Sequence, residues 1–278
     1  MSRIEGTIIF TDLDGTLLDH DTYSFEPAKP VIEHLLSKNV PIIPVTSKTK
    51  AELLSLRERI GLNGPFVIEN GAAIYTPKGY FQFNDDSLVD AGDYWCKRFA
   101  PDRSALIEIL DNAPDTVRQN MRCFHDLSVE ELSEITGLSL EQASLAAQRE
   151  FSEPIEWLGE EGDLAELSDY ARQHGYDLVK GGRFYHLTNG YDKGQALYWL
   201  KQQFMRENPK QSQFAIALGD SPNDFDMLEA ADQAILIKNY KAVSLDLNPD
   251  LPLIRSTVAG PEGWASALTS FLNLNISR

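Results

Sequence analysis

Cysteine is scarce. The 278 residues hold two, Cys96 and Cys123. They form no metal-ligand spacing and no disulfide framework, so they read as reduced thiols in a cytoplasmic protein. Basic residues are also few: 25 Lys and Arg stand against 42 Asp and Glu, a net charge of −17. That balance argues against a nucleic-acid partner and favours solubility. Long apolar runs are missing, so no membrane-spanning segment is expected. The opening MSRIEGTIIF lacks the apolar core of a signal peptide. There is no repeat and no low-complexity tract. GxxxxGK[ST], GxGxxG opening a helix and HExxH are all absent, which removes the P-loop, dinucleotide and zincin readings. What is present is ordinary for a soluble chain, 42% hydrophobic and 24% charged, with a length suited to two domains.

The most informative stretch is Thr7–Thr16, TIIFTDLDGT. A β-branched apolar run ends in Asp12 and Asp14, which project to the same side of an extended chain. Gly15 lets the backbone turn and approach a ligand closely. Two neighbouring carboxylates repel, and a hard divalent cation with oxygen ligands, most simply Mg²⁺, is the natural counter-charge. The glycine falls too early for a calcium loop of the EF-hand type.

Around this stretch the chain alternates strand and helix. Strands are expected at residues 7–12, 41–46 and 66–68, with helices over 27–38 and from Thr49, where Glu52 completes a capping box. Hairpin strands are expected at 72–75 and 80–83. From about residue 85 the texture becomes richer in charge and in helix caps, with capping boxes at Ser128/Glu131 and Ser139/Gln142 and strands expected at 116–123, 155–158 and 176–180. After Arg183 the α/β pattern returns: a helix from Lys193, a strand at 214–218, a last clear strand at 234–237 and a helix over 263–272. The expected fold is α/β, a Rossmann-like parallel sheet built from residues 1–84 and 187–278. An α+β insert over 85–186 interrupts it, with hinges near 84–86 and 185–190.

Ligands of open parallel sheets sit beyond the carboxyl ends of the strands. That edge collects Asp12, Asp14, Thr46, Asn70, Lys193, Asp220, Asn223 and Asp224. Asp, Asn and Gly are common where strands end, and a lone DxD would mean little. A nucleophilic carboxylate, a second acid, a hydroxyl, an ammonium and further carboxylates in one place are what phosphoryl transfer requires.

DLDGT at 12–16, Thr46 at a strand end, Lys193 in YDKG and GDSPND at 219–224 resemble the four signature motifs of the haloacid dehalogenase superfamily of phosphatases. They come in that superfamily's order, with the insert where its C2-type caps lie. Within it the chain resembles the mannosyl-3-phosphoglycerate phosphatase family, through VTSKT at 45–49, IENGA at 68–72, residues 136–155, GGRFYHL at 181–187 and GPEGW at 260–264. The resemblance implies that Asp12 is the nucleophile and Asp14 the general acid and base. Mg²⁺ would be held by Asp12, the carbonyl of Asp14 and Asp220. Thr46 and Lys193 would bind phosphoryl oxygens, with Asn223 and Asp224 supporting them, and Lys193 with the metal would keep Asp12 ionised. The implied substrate is a small phosphorylated glycoside, mannosyl- or glucosyl-3-phosphoglycerate. Alternatives are sucrose phosphate or a broader range of sugar phosphates, and phosphosugar mutase chemistry. Gly181, Gly182 and Arg183 read as a carboxylate grip. Lys48, Glu69, Asn70 and His186 read as further substrate-binding residues, each also readable as ordinary strand-end or surface polarity.

Overall fold

The computed structural model describes residues 4–82, 85–181, 183–239 and 247–276. In chain order the strands and helices begin with β1 (Thr7–Thr11), α1 (Lys29–Ser37), β2 (Ile42–Pro44), α2 (Lys50–Ile60), β3 (Phe66–Ile68) and β4 (Ala73–Pro77). β5 (Leu88–Ala91), β6 (Tyr94–Arg98), α3 (Arg103–Asp111), α4 (Asp115–Arg118), β7 (Met121–Cys123), α5 (Val129–Thr136) and α6 (Leu140–Ala146) follow. Then come β8 (Pro154–Trp157), α7 (Leu164–Gln173), β9 (Asp177–Lys180), β10 (Tyr185–Thr188) and α8 (Lys193–Glu207). The chain closes with β11 (Phe214–Gly219), α9 (Phe225–Glu229), β12 (Gln233–Lys238), β13 (Leu253–Ala259) and α10 (Gly260–Leu272).

Two compact units result. The first comprises residues 1–47, 57–97 and 192–278. Its main sheet is parallel, in the order β13-β12-β11-β1-β2. All five residues of β1 are buried, as are five of six in β11 and in β12. Such runs suit strands covered on both faces. α1 packs on α10, and α8 on α9. Pro44, awkward inside a ladder, is tolerated because β2 is the edge strand of this sheet. A single bridge, Val45 to Val67, carries the pairing on to β3. β3 then opens a second sheet, β3-β4-β6-β5.

The second unit comprises residues 48–56 and 98–191. Its sheet is antiparallel, β7-β8-β10-β9. Leu106 and Leu110 of α3 and Leu167 and Ala171 of α7 pack with Cys123, Ile155 and Leu187 into its core. The capping boxes at Ser128 and Ser139 form as the sequence suggests and start α5 and α6.

The unit limits differ from the 85–186 insert of the sequence pattern for two physical reasons. β6 pairs with β4 and β5 pairs with β6, which keeps 85–97 with the first unit. β10 runs to Thr188 within the second unit's sheet, carrying its end past 186. Three further differences are local. Residues 80–82 form no strand; β4 lies between β3 and β6, and β6 (YWCKR) ends in two adjacent basic residues that break any alternation. The expected strand over 116–123 begins instead with the short helix α4. β13, where exposed and half-buried residues alternate irregularly, lacks the apolar run that marks its neighbours.

Candidate active site

The site grows from the end of β1. The Asp12 amide donates to the Leu218 carbonyl at 2.9 Å, one step beyond the last β1–β11 register pair. The chain then turns back on itself: the amides of Thr16 and Leu18 both donate to the Leu13 carbonyl, and Gly15 N donates to Leu18 O at 3.0 Å. Gly15 has φ 81°, and a Cβ there would lie 2.7 Å from Oδ2 of Asp220. Both the backbone conformation and the approach of that carboxylate therefore require glycine.

Lys193, the first residue of α8, is almost wholly buried. Its ammonium donates to Oδ1 of Asp12 at 2.6 Å and to Oδ1 of Asp224 at 2.7 Å. The other oxygen of Asp224 accepts the backbone N–H groups of Asp220 and Ser221 at 3.0 and 3.1 Å. Asp224 thus fixes the GDSPND turn and the lysine together. Burial alone would lower the Lys193 pKa, but the carboxylates of Asp12 and Asp224 outweigh it and hold it above its ordinary value. A buried ammonium needs its partners, and removing either one is costly.

Asp220 is held from two sides. Thr16 Oγ1 donates to its Oδ1 at 3.2 Å, and Asn239 Nδ2 donates to its Oδ2 at 2.6 Å. Burial, followed by the charge of Asp224, pushes the Asp220 carboxyl up to about 6. Asp12 is pushed well above its ordinary value by burial and by Asp224 and Asp220, against the pull of Lys193. The Lys193 charge and hydrogen bond favour the ionised form of Asp12, the direction expected from the sequence. Asp12, Asp220 and Asp224 each present an oxygen within 4.8 Å of the others'. Three carboxylates against one ammonium leave negative charge in a buried place. Oxygen donors with that excess suit a metal ion.

The end of β2 adds Thr46, which is buried. Its amide donates to Val67 O at 3.1 Å, and its carbonyl accepts from Asn70 N at 2.9 Å. Glu69, Asn70 and Gly71 all have left-handed φ, at 48°, 59° and 98°. Such backbone strain concentrates at functional sites. Here it has a visible use. A Cβ on Gly71 would stand 2.1 Å from the Asp192 carbonyl and 2.8 Å from Lys193 N, so the turn lies directly against the start of α8. Asn70 Oδ1 accepts from Asn223 Nδ2 at 3.1 Å. Glu69 and Asn70, read from sequence as substrate-binding, lie in this bracket between the strand end and the lysine helix.

The remaining candidates lie in the second unit. Arg183 donates through Nη1 to Ile135 O at 2.9 Å and through Nη2 to Thr136 O. It thus caps the carboxyl end of α5, using two of the five donors an arginine carries. His186 in β10 is paired with Pro154 and Val179. Burial, with Arg149 nearby, pulls its pKa down to about 3, so the ring is neutral. A Cβ on Gly181 would meet His186 Nε2 at 2.9 Å, so the glycine makes room for the ring. Lys48 is half-buried, and Gly182 lies outside the described residues. Thr16 and Asn239 were missed by sequence reasoning. Thr16 stands inside DLDGT and could have been read from it; Asn239 follows an exposed lysine and carries no local signal.

A parallel α/β sheet that gathers aspartates, a buried lysine and an acidic turn at its carboxyl edge is the arrangement that the resemblance to haloacid dehalogenase phosphatases implies. The family model of haloacid dehalogenase-like hydrolases matches residues 9–90. The glucosyl-3-phosphoglycerate/mannosyl-3-phosphoglycerate phosphatase of Persephonella marina is 38% identical over 272 residues, covering 96% of this chain and 97% of the relative. The protein of the same description from Methanococcoides burtonii is 34% identical over 271 residues, covering 96% and 98%. The chain belongs to the mannosyl-3-phosphoglycerate phosphatase family of these hydrolases. It is a phosphoric monoester hydrolase by class. A solved sugar phosphatase of subclass IIB shares the fold, with a TM-score of 0.63 at 17% identity over 95% of this chain and 98% of that one.

Two outcomes follow from this geometry. Gly71→Ala should lose on the order of 2–4 kcal/mol in urea melts. Gly79→Ala has a similar φ of 84° with nothing within 4 Å of the new Cβ, so it should lose much less; equal losses would contradict the close packing against α8. The second outcome concerns pH. The raised Asp220 carboxyl retains its proton when folded over a range where the unfolded chain releases it. Its contribution is therefore most favourable below the ordinary value of 3.8 and is lost as pH rises toward about 6. In metal-free protein, the stability of wild type relative to Asp220→Asn should fall by on the order of 2–3 kcal/mol between pH 4 and pH 7. A difference that does not change with pH would contradict it.

Proposed function

We propose that this protein is a Mg²⁺-dependent phosphatase that hydrolyses mannosyl- or glucosyl-3-phosphoglycerate through an aspartyl-phosphate on Asp12. The observation that carries the chemistry is the buried Lys193 ammonium on Oδ1 of Asp12 at the end of β1, with Asp14 two residues on. The substrate class is supported by the printed descriptions of the two relatives.

In the first step a carboxylate oxygen of Asp12 attacks phosphorus, the bond from phosphorus to the glycerate oxygen breaks, and Asp14 protonates the departing alkoxide. A sugar or glycerate alkoxide is a poor leaving group, so that proton is needed. In the second step Asp14 takes a proton from water, the water oxygen attacks phosphorus, and the bond to Asp12 breaks to release phosphate. Lys193 and the Thr46 hydroxyl oppose the charge on the phosphoryl oxygens. Mg²⁺, held by Asp12, the Asp14 carbonyl and Asp220, would lower the Asp12 pKa and offset charge on the transferring group. Asn223 and Asp224 position the lysine and the turn. The second unit is proposed as the cap that selects substrate, with Arg183, Gly181, Gly182, His186 and Lys48 as its contacts. The buried thiols of Cys96 and Cys123, which are not joined in a disulfide, suit a reducing, cytoplasmic setting.

Phosphate release from a panel of esters tests this reading. The glycosyl-3-phosphoglycerates should be turned over fastest, and only with Mg²⁺. No release from any ester would refute the hydrolase, and preference for sucrose phosphate would move the substrate to that class. Asp12→Asn removes one partner of Lys193 and should melt lower, but at a temperature where it is still folded it should lose about three orders of magnitude in kcat. Arg183→Ala should raise KM for a carboxylate-bearing substrate by about tenfold or more and leave a simple aryl phosphate nearly unaffected. Equal changes on both would leave Arg183 as a helix cap only.

A further inference from the structure

We infer that Trp264 is a positioning residue for the nucleophile, acting through the Thr11 hydroxyl on the peptide that joins Asp12 to Leu13. The inference rests on the reading of Asp12 as nucleophile and goes beyond it to a residue on the last helix of the chain.

The starting point is where the backbone bonds of β1 go. Thr11 is the last residue of β1 in register with both neighbours, opposite Leu218 and Pro44. Its carbonyl accepts from Val45 N at 2.8 Å. The next carbonyl, that of Asp12, lies beyond both registers, and a buried carbonyl needs a donor. The donor is the Thr11 side chain, with Oγ1 to Asp12 O at 2.7 Å. A threonine hydroxyl can rotate, so one bond alone would hold this peptide loosely. The second bond removes the freedom: Nε1 of Trp264 donates to Thr11 Oγ1 at 3.0 Å. The indole can only donate. With that lone pair occupied, the hydroxyl proton is directed to the Asp12 carbonyl. The chain indole, hydroxyl, carbonyl has one consistent direction, and linked bonds of this kind strengthen one another.

Trp264 is itself held firmly. It is wholly buried, among the largest side chains that are, and a buried indole N–H needs an acceptor. The segment GPEGW also packs without slack. A Cβ on Gly263 would lie 2.1 Å from the carbonyl of Val258, so the start of α10 is pressed against the end of β13. This accounts for GPEGW, a segment that no step of the chemistry uses.

The consequence is specific. The peptide after Asp12 fixes the direction of its side chain toward Lys193 and the path of the turn to Asp14. Losing the indole donor frees the hydroxyl and loosens both carboxylates at once. The effect should fall on the chemical step, since Trp264 donates to the Thr11 hydroxyl and that hydroxyl donates to the nucleophile's own peptide.

The test uses the full-length enzyme with Mg²⁺ and a glycosyl-3-phosphoglycerate, comparing Trp264→Phe, Thr11→Val, Thr11→Ser and the double variant Trp264→Phe/Thr11→Val. Trp264→Phe keeps an aromatic ring at this buried position but loses the pyrrole ring with its N–H. It should lower kcat about five- to tenfold, the scale of one hydrogen bond, with KM within about twofold of wild type. Thr11→Val should do the same, the double variant should be no slower than Thr11→Val, and Thr11→Ser should recover most of the loss. Melting curves on each variant separate this from general loss of fold; Thr11→Ser against Thr11→Val decides the matter if the tryptophan variant does not fold. A kcat within twofold of wild type for Trp264→Phe and Thr11→Val, effects that multiply, or loss confined to stability would overturn the inference while leaving the phosphatase in place. A wild-type enzyme that releases no phosphate would overturn the functional reading and this inference with it.

Discussion

The site depends on one buried cation shared between two carboxylates. Lys193 is held by Asp12 at 2.6 Å and Asp224 at 2.7 Å, and each contact ties a different part of the fold to the same point. Asp12 brings the end of β1, Asp224 brings the turn after β11, and the lysine brings the start of α8. A charge taken out of water is stable only if its partners are in place. The ammonium therefore demands that three segments distant in sequence arrive in register. The parallel sheet supplies that register, because β1 and β11 run side by side and end at the same edge.

The same charges create the second constraint. One ammonium does not balance Asp12, Asp220 and Asp224, and both Asp12 and Asp220 are driven toward their neutral forms. A carboxylate that is to attack phosphorus must be ionised. On the proposed reading the site is completed by a further positive charge, and Lys193 holds the Asp12 carboxylate at the end of β1. The strained run Glu69–Gly71 and the indole of Trp264 act on the same problem from opposite sides. One presses on the helix that carries the lysine, and the other holds the peptide that carries the aspartate.

How much of this the sequence disclosed depends on whether the signal is local. DLDGT, Thr46, YDKG and GDSPND were legible because each is a short polar cluster at the end of an apolar run, and parallel strands put such ends on one edge. Thr16 was within reach for the same reason. Asn239, Thr11 and Trp264 were not legible, since their roles come from bonds to residues 19, 1 and 253 positions away, or from a threonine that looks like any other in a strand. Asn70 was legible as important but not as a bracket, because a left-handed φ and the approach of α8 leave little mark beyond the glycine that follows. Arg183 shows the converse: a fork-shaped donor beside two glycines suggests a ligand grip, yet two of its donors meet the last carbonyls of α5. β5, β6 and β13 escaped because half-exposed strands lack the apolar run that marked β1 and β11.

The central claim is that Asp12 becomes covalently phosphorylated, and it can be read directly. Enzyme mixed with ³²P-labelled glycosyl-3-phosphoglycerate and Mg²⁺, quenched in acid within the first turnover and digested, should carry label on the single peptide spanning Thr7–Thr16. The label should be lost on treatment with hydroxylamine, as an acyl phosphate is, and borohydride should convert residue 12 to homoserine. Phosphate release with no label trapped on that peptide, or with label on another residue, would contradict the account.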